Sequence, residues 1–256
     1  MKKLLIILLL LPAYCQTLPA QEQAFKITHG PYLTDMSETA VTIVWITNKN
    51  ALAWVEVAPD DGSHFYGKER PRYYDTYLGR RQAATTLHRV RIENLTPGTR
   101  YRYGIFSKEV LHWENDARIV YGTTIANPAY SRNSLSFKTF SSSDDTVSFI
   151  MLNDIHGRAD FMKELCRDID FNTIDLVVFN GDMSSAIHSE EQIFSDFMDA
   201  AVDLFAKRVP IAFTRGNHET RGPYADYLMY YFPLKGEKIY RTFNVGNVAF
   251  IMLDCG

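Results

Sequence analysis

Three apolar runs, Val147 to Leu152, Leu176 to Phe179 and Val209 to Phe213, each lead into a short polar motif. The motifs are Asp154-Ile155-His156, Gly181-Asp182 and Gly216-Asn217-His218-Glu219. Between the runs lie two segments with helical periodicity, Ala159 to Ile169 and Glu190 to Ala206, and the second sets Ile193, Phe197, Ala201 and Leu204 on one face. Strand, helix, strand, helix, strand predicts a parallel α/β sheet. Such sheets bind ligands at the carboxyl ends of their strands, where all three motifs fall.

The motifs offer carboxylates from Asp154 and Asp182, an imidazole from His156 and an amide oxygen from Asn217. A carboxylate has two oxygens, so one Asp can bridge two ions, and two ions roughly 3.5 to 4 Å apart can clamp both ends of a phosphoryl displacement. Asp182, on the middle strand, is the candidate bridge. Taken singly, the motifs also read as turns or caps. In this order, each behind a buried-strand pattern, they predict a metal site.

From Val147 onward the chain resembles the calcineurin-like metallophosphoesterases, on the order Asp-x-His, Gly-Asp, Gly-Asn-His-Glu. The resemblance implies a hydrolase with a dinuclear metal site, a metal-bound hydroxide attacking phosphorus and a small phosphorylated substrate, with monoesters ahead of diesters. It implies Asp154, His156 and Asp182 on the first metal and Asp182 and Asn217 on the second. His218 would be catalytic rather than a ligand, stabilising the phosphoryl group and protonating the leaving oxygen. Glu219 would orient His218, or serve as a helix-start carboxylate. His188, placed to line the pocket, and Arg221, three residues after His218 and placed to meet a phosphate oxygen, are read first as surface residues.

The amino-terminal half has another pattern. Short alternating stretches at Thr39 to Thr47, Ala51 to Val57, Thr85 to Ile92, Thr99 to Phe106 and Leu135 to Thr139 predict an all-β sandwich. Leu95-Thr96-Pro97-Gly98-Thr99-Arg100-Tyr101 resembles the corner of fibronectin type III domains, with Tyr101 as the corner tyrosine. Gly30-Pro31-Tyr32-Leu33 before a Trp-bearing strand is similar to the amino-terminal domain of purple acid phosphatases. Arg70 to Arg81, which interleaves tyrosines with arginines, and Leu111 to Tyr130 read as loops that pack or lean over the metal site. The polar Ser141 to Asp145 marks a boundary, giving a sandwich over 25–140 and an α/β phosphoesterase sandwich, in part, over 146–256.

With 46% apolar and 22% charged residues and a net charge of −3, the chain is globular and shows no nucleic-acid footprint. Residues 1–20 have two lysines, an apolar run from Leu4 to Leu11 and small residues after it, the layout of a signal peptide. That run is too short to span a bilayer, so a periplasmic or secreted protein without a transmembrane anchor is expected. Cleavage fits after Cys15 or Ala20; lipid attachment at Cys15 is disfavoured by Tyr14. Cys166 and Cys255 read as buried thiols, with one bridge left open.

Two departures from the relatives matter. Purple acid phosphatases carry a tyrosine three residues after the bridging aspartate, where this chain has Ser185, and glycine where it has His156. A colourless divalent pair of manganese, iron(II) or zinc is therefore expected. The family's later histidine blocks are missing, since no histidine follows His218. The chain reads as a fragment, expected to hold metal poorly and to be inactive alone; the rival reading is a non-catalytic binding protein with a relic phosphoesterase half.

Overall fold

A computed structural model describes residues 23–127, 135–234 and 238–254. The signal-peptide segment, Cys15 and Cys255 lie outside the described residues. Among those described, Cys166 is a free, buried thiol.

The first half is all β: β1 (Ile27–Thr34), β2 (Val41–Thr47), β3 (Ala51–Pro59), β4 (Arg72–Tyr74), β5 (Thr76–Tyr77), β6 (Arg80–Arg81), β7 (Leu87–Ile92), β8 (Arg100–Glu114), β9 (Arg118–Ala126) and β10 (Leu135–Lys138). The second half is mixed: β11 (Phe149–Leu152), α1 (Ala159–Leu165), β12 (Leu176–Asn180), α2 (Glu190–Ile193), α3 (Asp199–Ala201), β13 (Ile211–Thr214), β14 (Arg241–Val245) and β15 (Val248–Met252). β11, β12 and β13 are parallel, as expected from their crossover segments.

One sheet in the sandwich is ordered β10-β8-β3-β4, with β9 also on β8. Facing it, β1, β2 and β7 are antiparallel, and Trp45 Nε1 donates to Ser107 Oγ at 2.8 Å across the core. The Tyr101 hydroxyl accepts the Thr96 backbone N–H at 2.9 Å, so the corner tyrosine is where the sequence placed it. Both expected loops are different. Leu111 to Glu114 continues β8, and β9 returns on it as a hairpin. Arg70 to Arg81 holds β4, β5 and β6. Two of its arginines are engaged within the sandwich: Arg72 with Glu56, and Arg81 over the Tyr74 ring.

The two halves share a sheet. Its order is β11-β12-β13-β1-β2-β7, joined where β1 pairs parallel with β13 at Thr34 and Ile211. Side chains alternate along strands, so the shared sheet has two faces with different covers. Tyr32, Val44, Val177, Phe179 and Phe213 pack with Phe194 and Phe197 of the helical layer. Leu33, Ile43, Trp45, Val178 and Ala212 pack with the second sandwich sheet and the β14–β15 hairpin.

Residues 190–206 form one helical run, but Phe194–Met198 and Val202–Ala206 are π-helical. The wider i→i+5 turn lets the buried stripe slip by a residue. Ile193, Phe197 and Ala201 are buried as expected, while Phe205 is more deeply buried than Leu204. Burial on both faces holds for β12 and β13 but not for the outer strands. Phe149 and Met151 of β11, and Ile251 and Leu253 at β15, are exposed, because β11 is an edge strand and the β14–β15 hairpin stands outside the sheet.

Candidate metal centre

Backbone contacts weld the three motifs together. Asp154 N–H donates to the Gly181 carbonyl, His156 N–H to that of Asp182 and Gly157 N–H to that of Met183, at 3.3, 3.0 and 2.8 Å. A Cβ on Gly181 would stand 2.6 Å from Gly216 Cα, and one on Gly216 would stand 2.3 Å from Asp182 Oδ1. Only glycine permits that approach at either position. Asp154, His156 and Asp182 have φ of 55°, 52° and 54°. Non-glycine residues adopt this region rarely, and it persists where the surroundings over-determine it. Here it turns three consecutive candidate ligands out of their strand directions at one sheet edge.

Glu219 is fully buried and gathers these loops. Oε2 accepts the backbone N–H of Asp182 at 2.8 Å and of Gly216 at 2.9 Å. Oε1 accepts those of Met183 at 2.6 Å and Ser184 at 3.1 Å. Glu219 lies in the first turn of the 3-10 helix His218–Thr220, as the helix-start reading has it, but its carboxylate is taken up by backbone amides, three on the loop after Gly181 and one at Gly216, and not by His218.

Donor atoms of His156, Asp182 and His218 lie within 4.8 Å of one another. Asp154 stands outside this group, exposed, with Oδ1 3.7 Å from His156 Nε2. Asn217 is exposed and opens the short 3-10 turn His218–Thr220, next to this group. Asp182 Oδ1 accepts the His218 backbone N–H at 3.0 Å, which steadies the carboxylate without consuming its second oxygen. The set of carboxylate and imidazole donors, partly exposed, fits a borderline divalent ion.

His218 lies as near the ligand group as His156 does, and its rings cross at 4.5 Å and 87°. Its Nδ1 is 2.9 Å from the Ser185 carbonyl oxygen, which can only accept, so that contact needs the proton on Nδ1. Arg221 Nη1, which can only donate, sits 3.2 Å from the same Nδ1 and needs it bare. Only one of the two is a hydrogen bond in a given tautomer. Ser185 Oγ also lies 3.3 Å from His156 Nδ1. Sequence reasoning marked Arg221, three residues after His218, but missed the contacts of Ser185 with both histidines. His188 is exposed and its backbone binds Gln192.

Residues 147–252 match the family model of calcineurin-like phosphoesterase, and residues 31–120 match that of the purple acid phosphatase N-terminal domain. The carboxyl-terminal region is thus of calcineurin-like phosphoesterase type and the amino-terminal region of purple acid phosphatase N-terminal type. Among solved structures, purple acid phosphatase PPD1 from yellow lupin (Lupinus luteus) seeds has the same fold, at 17% identity and TM-score 0.60 over 86% of this chain and 43% of that one. This chain thus spans less than half the length of that relative. The chicken CNTN1 FN1-FN3 domains match 40% of this chain and 32% of theirs at 15% identity, with a TM-score of 0.22 that carries no argument. No curated protein matches the chain.

Proposed function

We propose that this chain is part of an exported phosphomonoester hydrolase with a dinuclear divalent metal site. The observation that carries the reading is the convergence of His156, Asp182 and His218 donors within 4.8 Å from separate strand ends. Asp154, His156 and Asp182 would hold one ion, and Asp182 with Asn217 the other, with manganese, iron(II) and zinc all suited to these donors. Bound metal supplies Lewis acidity toward phosphoryl oxygens. His218 gives the Nε2 proton to the leaving oxygen while the Ser185 carbonyl holds Nδ1–H in place. Arg221, resting against that ring, is released to meet a phosphate oxygen when substrate enters.

The substrate in this reading is a small phosphate ester and not a nucleic acid. Among the described residues no helix is long and apolar enough to cross a membrane, and the export reading rests on the first 20 residues of the sequence. The working domain division remains 25–140 and 146–256. Calorimetric titration with Mn²⁺ or Zn²⁺, paired with p-nitrophenyl phosphate hydrolysis, tests the site. Asp182→Asn abolishes metal binding and any turnover; unchanged binding by that variant would overturn the assignment.

A further inference from the structure

The hairpin β5–β6 takes no part in the site or the core. Residues 76–81 are exposed throughout, and its tip presents Tyr77 at 61% and Leu78 at 86% exposure. One exposed leucine is ordinary on any surface. This one is not ordinary in its backbone. Leu78 has φ 48° and Gly79 φ 78°, so both central residues of the turn are left-handed. Such turns favour Asn-Gly or Asp-Gly, and a leucine there is strained. Leu78 thus pays twice, in conformation and in hydration, and neither cost is offset by a contact inside the molecule.

The surroundings of the tip are basic. Lys68, Arg70, Arg72, Arg80 and Arg81 fall within fourteen residues that contain only Glu69 and Asp75 as acids, in a chain whose net charge is −3. Asp75 is turned inward, accepting from Gln82 Nε2 and the Arg89 backbone. Arg72 is paired with Glu56, and Arg81 stacks on Tyr74 at 3.7 Å without an anionic partner. The side chains of Lys68 and Arg80 make no hydrogen bond or ion pair among the described residues. Lys68, Arg70, Arg72 and Arg81 line one open concavity, in which Glu56 and Glu69 are the only acids.

We propose that this hairpin docks the chain on an anionic lipid surface, with Leu78 and Tyr77 entering the headgroup region and the cations around them meeting lipid phosphates. An apolar tip in a basic collar suits a bilayer better than a soluble polyanion, which has nothing to receive Leu78. A tyrosine ring is amphipathic and sits well at that interface.

Co-sedimentation of the full chain with vesicles tests this, comparing phosphatidylcholine alone with phosphatidylcholine mixed with phosphatidylglycerol. Binding is expected on the mixed vesicles only. Replacing Arg80 and Arg81 by Ala weakens it about fivefold per arginine. Leu78→Asn, which tolerates the left-handed turn, weakens it about tenfold. Leu78→Trp keeps the binding and adds a blue-shifted emission on vesicles. Absence of binding, binding unaffected by Leu78→Asn, an unshifted Trp, or equal retention on dextran sulfate independent of Leu78 would each overturn the proposal.

Discussion

The carboxylate of Glu219 holds the backbone N–H of Asp182 at 2.8 Å, so the position of the candidate bridging ligand is set by a residue that faces away from the site. The side chain of Asp182 is aimed through its own main chain. Loops that carry ligands are usually held by packing; this one is held by a buried charge.

Glu219→Gln tests that clamp. An amide keeps one acceptor and turns an NH₂ toward the remaining backbone donors, leaving buried groups unpaired at about 1–3 kcal/mol. A lowered urea midpoint with loss of metal binding is expected. Full metal binding at unchanged stability would show that the loop holds itself.

Gly216→Ala places a Cβ 2.3 Å from Asp182 Oδ1 and 2.7 Å from Asp182 N. The backbone nitrogen cannot move without breaking the Glu219 contact, so the third motif must retreat. Metal affinity measured by calorimetry should fall at least tenfold.

His218→Ala should leave bound metal in place and slow p-nitrophenyl phosphate hydrolysis by roughly 10² to 10⁴-fold, the range of a positioned acid. Ser185→Ala keeps the carbonyl that orients His218 and removes only the hydroxyl near His156, so a much smaller loss is expected. Release of metal by His218→Ala, read by elemental analysis, would make His218 a ligand.

Two histidines in the shared sheet give opposite pH dependence. For His29, burial lowers the pKa, but the Asp199 hydrogen bond and the charges of Asp199, Glu191 and Glu190 prevail and raise it above 6.5. Protonated His29 therefore stabilises the fold fully below that value, and the contribution is lost as pH rises through the folded-state value. Burial pushes His88 down to about 3. The unfolded chain takes up a proton there below pH 6.5, and stability falls toward pH 3 by at most about 1.4 kcal/mol per unit. Urea midpoints across pH should show His29→Asn losing the advantage present below 6.5, and His88→Gln flattening the acid decline.

The metal motifs were legible because each is a contiguous cluster behind an apolar strand, and the Tyr101 corner because its partners lie five residues apart. What escaped sequence reasoning was long-range. Glu219 is a common residue whose role depends on amides 35 to 37 positions away. The β8–β9 hairpin was obscured by polar residues on its exposed side. The pairing of β1 with β13 joins strands 177 residues apart at Thr34 and Ile211, and no local pattern encodes which edge a strand will find.

That single parallel seam makes the two halves one unit of inheritance. A sandwich exchanged for another would have to present a β1 edge of matching height and direction, or leave β13 with bare amides and carbonyls beside the metal loops. Recombination that respects the apparent linker at 141–145 would still cut a hydrogen-bonded sheet. Lineages carrying this architecture should accordingly keep or lose both halves together, and an insertion between Thr34 and Ile211 is tolerated only where it leaves that seam in register.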